Sequence, residues 1–267
     1  MTDLDDTFLA QDKSIPETNL TALDALAHRG VAFVPCTGRP IDAIPEVLAT
    51  HPATRYLVGA NGAAIADASS KELLHRQAMP IELVDRIYER VRSLDVTFDA
   101  FVGNRVLVER VRYDRLGSYG IDEHSLRTVR KLREPHDATI PELLTAYDGV
   151  DKVTLYWGDL ATRERLRAAL SEFAEVDVTS SHAKNFEFMA AGTSKGSALV
   201  WICRALGCET SDAVAFGDSA NDAPMLQAAG DGVAVANATA DARSVADHVC
   251  AASSDAGVGR YLLDLLA

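Results

Sequence analysis

The chain is poor in the residues that would make it a metal-thiolate or disulfide protein. Its four cysteines, Cys36, Cys203, Cys208 and Cys250, lack CxxC spacing and its seven histidines are scattered, which argues against a zinc site and a disulfide framework. Cys36 beside Thr37 reads as a small buried hydrophobe rather than a reactive thiol. No apolar run approaches the ~18 residues of a membrane span; the stretch Ala198 to Cys203 is stopped by Arg204. The amino terminus is acidic and has neither the basic nor the apolar region of a signal peptide, so a cytoplasmic location is expected. Positive charge is in deficit as well, with 26 Lys and Arg against 39 Asp and Glu for a net charge of −13. Such a field opposes nucleic acid and anionic membranes as partners, while a small anion can still bind through local donors and a metal.

What is present is enough apolar material for a core: 48% of 267 residues, sufficient for one large domain or two modest ones. Ser14 and Glu17 have capping-box spacing, Pro16 suits a first turn, and Leu20, Leu23, Leu26 and Ala27 recur at helical intervals up to Gly30. The spacing then predicts a strand over 31–36, a helix over 40–49 and a strand over 55–60. After residue 185 the rhythm resumes with a helix over 194–206, a strand over 213–216, a helix over 223–229, a strand over 232–236 and a terminal helix. Short strands alternating with helices are the pattern of a parallel, doubly wound α/β sheet.

Between them, 81–184 changes character. Helical stretches (81–94 and 161–173) mix with strand-like runs (104–112 and 152–157), as in a small α+β domain inserted into the α/β core. This stretch holds 16 of the 26 basic residues and only 19 of the 39 acids. Its locally basic run, 105–133, reads as a solvated surface, with Arg105, Arg110 and Arg112 the residues there that could meet a substrate.

Two acidic clusters stand at opposite ends of the chain: Asp3 and Asp5 in Asp3-Leu4-Asp5-Asp6-Thr7, and Asp218 and Asp222 in Gly217-Asp218-Ser219-Ala220-Asn221-Asp222. Each follows a short apolar run, so in a parallel sheet both would emerge at carboxyl ends of strands. Carboxylates brought together there would repel one another unless a hard divalent cation such as Mg2+ relieved them.

In order and spacing, Asp3 to Thr7, Thr37-Gly38-Arg39, Asn61-Gly62-Ala63, Lys195-Gly196 and the run Gly217 to Leu226 resemble the motifs of the haloacid dehalogenase superfamily. The insertion is similar to that of the Cof-type, C2B-capped phosphatase branch. The resemblance implies a Rossmann-like core over 1–80 and 185–267 and a C2B cap over 81–184, with the strand before Asp3 flanked by those ending at Thr37 and Asp218. It implies a Mg2+-dependent phosphomonoester hydrolase acting on small phosphorylated metabolites, sugar phosphates foremost, as a monomer or weak homodimer. Asp3 would be the nucleophile that forms an aspartyl phosphate, and Asp5 the general acid/base, for which its surroundings must raise its pKa. Thr37, Gly38, Lys195 and Asn221 would bind phosphate; Asp3, Asp5 (through its main-chain carbonyl) and Asp218 would hold the metal. Asp222, Arg39 and Asn61 would support them, Asp222 by pairing with Lys195, while Asp6 reads as a turn residue. The same residues also fit a phosphosugar mutase or a catalytically silent phosphometabolite-binding protein. Relatives carry an apolar strand of about five residues ahead of the nucleophile, where this chain has Met1 and Thr2, so a start upstream of Met1, or a truncated segment, is expected.

Overall fold

The computed structural model describes every residue from Met1 to Ala267 except the side chain of His124. The chain forms two compact units, Met1–Arg76 with Thr193–Ala267, and Gln77–Gly192.

In the first unit, the helix predicted from Ser14 begins later, at Glu17, and runs to His28. Its N-cap is Pro16, while the Ser14 hydroxyl donates to Asp12 instead, so the capping box does not form. The segment predicted as one helix over 40–49 is broken into a 3-10 turn, Ile41–Ala43, and a short helix, Glu46–Ala49. Pro45 explains the break, because it lacks an N–H and excludes helical geometry from the residue before it. Strand β1 (Tyr56–Gly59) then pairs antiparallel with β2 (Ala64–Asp67), which pairs antiparallel with β3 (Leu73–Arg76).

The second unit holds a six-stranded sheet built from β4 (Asp99–Val102), β5 (Arg105–Glu109), β6 (Glu134–His136), β7 (Lys152–Tyr156), β8 (Val176–Thr179) and β9 (Asn185–Ala190), in the order β6-β5-β4-β7-β9-β8. Only β5 and β6 run parallel. The helices Ile81–Val91 and Leu160–Leu170 bury Val84, Ile87, Val91, Leu166 and Ala169. The sequence boundary at 184 cuts this sheet. Because β9 pairs with both β7 and β8, the unit extends to Gly192. The basic run is a surface of ion pairs: Arg105 with Glu134, Arg110 with Asp137, and Arg112 and Arg115 with Asp95. Arg133 differs, lying buried against Asp99 with its Nε 2.7 Å from the carboxylate.

Returning to the first unit, the helix Lys195–Leu206 is followed by parallel strands β10 (Val214–Gly217), β11 (Asp231–Val235) and β12 (His248–Cys250). Between β10 and β1 the sheet is carried by single bridges: Thr2 pairs in parallel with Phe216 on one side and with Pro35 on the other, and Cys36 pairs in parallel with Val58. The expected strand over 31–36 is therefore a string of bridges rather than a continuous ladder. Thr2 lies between the segments that end at Thr37 and Asp218, as the resemblance implied. One core of Leu4, Phe8, Leu23, Leu57, Leu199 and Phe216, among others, lies under this sheet. Cys36 is fully buried within it, and burial pushes its thiol pKa up, so no ready thiolate exists there.

Candidate active site

Two strand ends deliver the acidic residues. Asp3 directly follows the bridging Thr2, and its N–H donates to Phe216 O at 2.9 Å, which locks it to β10. Asp218 follows the last residue of β10, and Asp222 closes the 3-10 turn Ala220–Asp222. One carboxylate oxygen from each of Asp3, Asp218 and Asp222 lies within 4.8 Å of the others, an arrangement able to hold a metal ion. Close approach here requires small residues. A Cβ on Gly217 would lie 2.4 Å from Asp222 Cβ, and one on Gly196 would lie 2.4 Å from Pro224 O.

Lys195, the first residue of its helix, is fully buried and places Nζ 2.5 Å from Asp3 Oδ1 and 2.6 Å from Asp222 Oδ1. Burial pushes the ammonium pKa down, but the charges of Asp222 and Asp3 outweigh this and hold it well above its usual value. Asp222 spends its other oxygen on the N–H groups of Asp218 and Ser219, both at 3.0 Å, so it braces both the lysine and the turn. Desolvation, followed by repulsion from neighbouring carboxylates, raises Asp3 well above the carboxylate range despite Lys195. Burial and the charge of Asp222 push Asp218 to about 7. Buried acids that resist ionisation next to one another are the electrostatic signature of a site that a cation completes.

Asp5 departs from expectation. Its carboxylate is gripped by Arg39, with Nε 2.7 Å from Oδ2 and Nη2 2.5 Å from Oδ1, and Lys13 Nζ lies 3.1 Å from Oδ1. Burial pushes its pKa up, but the Arg39 hydrogen bonds and the Arg39 and Lys13 charges override this and leave it lowered. The surroundings expected to raise this pKa therefore do the opposite, and the Asp5 side chain stands outside the three-carboxylate cluster.

Thr37 is buried, and its Oγ1 accepts from the N–H of Arg39 at 3.2 Å, which shapes the Thr37-Gly38-Arg39 turn. Asn61 has a left-handed backbone (φ 58°) and accepts from Asn221 Nδ2 at 3.1 Å, while Asn221 Oδ1 is buried with no partner among the described residues. Sequence reasoning missed three contributors. The Thr7 hydroxyl donates to Asp218 Oδ1 at 2.8 Å and the Ser219 hydroxyl to Asp218 Oδ2 at 2.7 Å. Both lie inside the quoted motifs, so their position was a signal. Lys13 carries no motif, and only the fold brings it to Asp5.

Comparison with known proteins identifies the family. The profile of a family described as haloacid dehalogenase-like hydrolase matches residues 1–262. The chain is 27% identical to Phosphatase YwpJ of Bacillus subtilis, over 99% of this chain and 98% of that protein. A solved haloacid dehalogenase-like hydrolase from B. subtilis superposes with a TM-score of 0.82 at 26% identity, covering 98% of each chain. The sugar phosphatase BT4131, described as HAD subclass IIB, superposes with a TM-score of 0.82 over 99% of this chain and 97% of that one; at 20% identity it bears on the fold alone.

Proposed function

We propose a mechanism for a chain that belongs to the haloacid dehalogenase-like hydrolases and is a Cof-type phosphatase of that superfamily: it cleaves phosphomonoesters of small metabolites through an aspartyl phosphate on Asp3, with Mg2+ as cofactor. The observation that carries this reading is the convergence of Asp3, Asp218 and Asp222 on one point beside a buried Lys195. Three acids with one ammonium leave an excess of negative charge, and the donor set is all oxygen, which suits a hard cation. Asp3 and Asp218, with the main-chain carbonyl of Asp5, would hold Mg2+, which would offset the charge of the phosphoryl group.

Asp3 is fixed from below by its backbone bond to Phe216 and at one oxygen by Lys195, which leaves its second oxygen to attack phosphorus in line. The P–O bond to the leaving alcohol breaks as the Asp3–phosphorus bond forms, and water then cleaves the acyl phosphate to regenerate Asp3 and release phosphate. Lys195, Thr37, Gly38 and Asn221 hold the equatorial oxygens, where transition-state charge is spread. The partnerless Asn221 Oδ1 suits an amide that turns when phosphate binds, so that its nitrogen faces the anion. Asp5 acts as general acid/base once entering phosphate draws Arg39 away from it and relieves the largest of the contacts that depress its pKa, leaving that to Lys13. Gln77–Gly192 is assigned the part of a C2B-type cap that selects the leaving group, and sugar phosphates are the first substrate class to try, the class named for BT4131.

The test is a panel of phosphorylated metabolites with Mg2+, ranked by kcat/KM from released inorganic phosphate. Hydrolysis gives stoichiometric phosphate, whereas a mutase gives isomerised sugar phosphate with little release. Asp3→Asn keeps the shape and removes the nucleophile, so turnover and the acid-stable trace of phosphorylated protein should both vanish. Near wild-type turnover in that variant would end the assignment of Asp3.

A further inference from the structure

The helix Lys195–Leu206 ends in a turn that brings two thiols together. Gly207 is left-handed (φ 71°), its N–H donates to Arg204 O at 3.2 Å, and the N–H of Cys208 donates to Cys203 O at 3.0 Å. Those two bonds make a Schellman motif, in which the side chain just past the glycine folds back onto the one five residues before it. Here the two positions are Cys208 and Cys203, so a contact ordinarily made by hydrophobes is made by sulfurs. The spacing Cys-x4-Cys is not that of a disulfide framework or a zinc site; the turn makes the pair.

Both side chains pack on one core, Cys203 buried and Cys208 at its partly exposed edge. Standard bond lengths on either side of the 3.0 Å hydrogen bond keep the two Cα atoms within about 7 Å, inside the reach of a disulfide. Burial, then the neighbouring Cys208 and its thiol–thiol hydrogen bond, push Cys203 up to about 11, so the two sulfurs feel each other directly. Cys36, in a bridge to Val58, and Cys250, at the end of β12, are not held in such a turn.

We propose that Cys203 and Cys208 are a site of reversible oxidation, closed into an intrachain disulfide by a hydroperoxide such as hydrogen peroxide. The partly exposed Cys208 sulfur attacks one peroxide oxygen, the O–O bond breaks, and the other oxygen leaves as water with the thiol proton, giving a sulfenic acid. The Cys203 sulfur then attacks the Cys208 sulfur; the S–O bond breaks and a second water leaves with the Cys203 proton. Two thiols lose two electrons in all, and one peroxide is reduced to two waters. Burial keeps Cys203 protonated and out of the solvent, which assigns the first step to Cys208. The bridge closes six residues across the last turn of the helix, at the end away from Lys195, so it staples the turn without reaching the acidic site.

The experiment treats the whole chain with a small molar excess of hydrogen peroxide, quenches with an alkylating agent and digests with trypsin without reductant. Cleavage after Arg204 separates the cysteines into peptides 196–204 and 205–243. The bridge should appear as one linked species, two hydrogens lighter than the two peptides together, in protein that runs as a monomer, and dithiothreitol should remove it. In Cys203→Ser the resolving thiol is gone, and a 1,3-dione should trap Cys208 as its sulfenic acid. Chain entropy for so short a loop predicts that oxidation raises the Tm of the first unit by roughly 4–8 °C. Absence of the linked species, or a link found only in a covalent dimer, would overturn the proposal. So would an oxidised form no more stable than the reduced one, because the turn would then have been distorted to make the bond.

Discussion

The pair formed by Lys195 and Asp222 gives the sharpest test of how the site is held together. Both side chains are fully buried, with Nζ and Oδ1 2.6 Å apart, and the other Asp222 oxygen accepts two backbone N–H groups. In Asp222→Asn the amide has one oxygen for three donors, and its NH2 group is turned toward a donor whichever way it points. The buried ammonium is left half-paired, a loss of about 3–5 kcal/mol by the usual cost of breaking a buried ion pair. Lys195→Met removes the only cation among the described residues in contact with Asp3 and Asp222 and should also cost about 3–5 kcal/mol. Independent sites would then sum to about 6–10 kcal/mol in the double variant, as much as many domains possess in total. Because the second change removes the charge that the first leaves stranded, the double variant should instead cost about 3–5 kcal/mol, a coupling of at least about 1 kcal/mol. Urea unfolding in EDTA measures this. Trp201, packed edge-on against Tyr56, reports the first unit, and a Trp157→Phe background silences the second. Strict additivity, within about 0.5 kcal/mol, would refute the claim that these two residues act as one electrostatic unit.

Further outcomes follow from single positions. Gly62 has φ +102°, and a Cβ there would lie 2.3 Å from Ser194 O, the N-cap of the Lys195 helix; Gly62→Ala should cost about 2–4 kcal/mol in urea unfolding. Gly30→Ala, with φ +68° and nothing within 4 Å, should cost only about 1 kcal/mol, and equal losses would discount the steric argument. If Asp218 is a metal ligand, Asp218→Ala should raise the Mg2+ concentration for half-maximal activity by roughly tenfold or more, and an unchanged titration would remove it from the ligand set. The Met1 amine has a folded pKa lowered from 8.0 to about 6. Between those values the unfolded chain binds more protons than the folded one, so stability should rise as pH goes from about 6 to 8, by at most about 2–3 kcal/mol. An Nα-acetylated chain lacks that contribution; identical Tm-versus-pH slopes for the two forms would contradict the burial of a titrating amine.

How far the sequence carried the fold and the site depended on whether a residue's partners lie close in the chain. Asp218, Ser219, Asn221 and Asp222 share one turn after a strand, and a turn of that kind brings them together whatever packs around it, so six residues were enough to read it. The alternation of strands and helices placed Lys195 at a helix start for the same reason. Asp5 shows the opposite case. Its motif position was plain, but its ionisation is set by Arg39, 34 residues away, and by Lys13 across a left-handed turn at φ 65°, neither of which periodicity can orient. The break at Pro45 was legible in principle, since a proline forbids continuation, yet the apolar spacing on either side outvoted it. The insertion boundary failed for a physical reason too: Asn185–Ala190 is a fully paired inner strand, and an inner strand buried on both faces lacks the alternation that would mark it. Local chemistry therefore names the acids, whereas long-range packing decides which of them is charged. Asp5 is the residue on which those two kinds of information disagree, and the proposed exchange of Arg39 from carboxylate to phosphate would reconcile them.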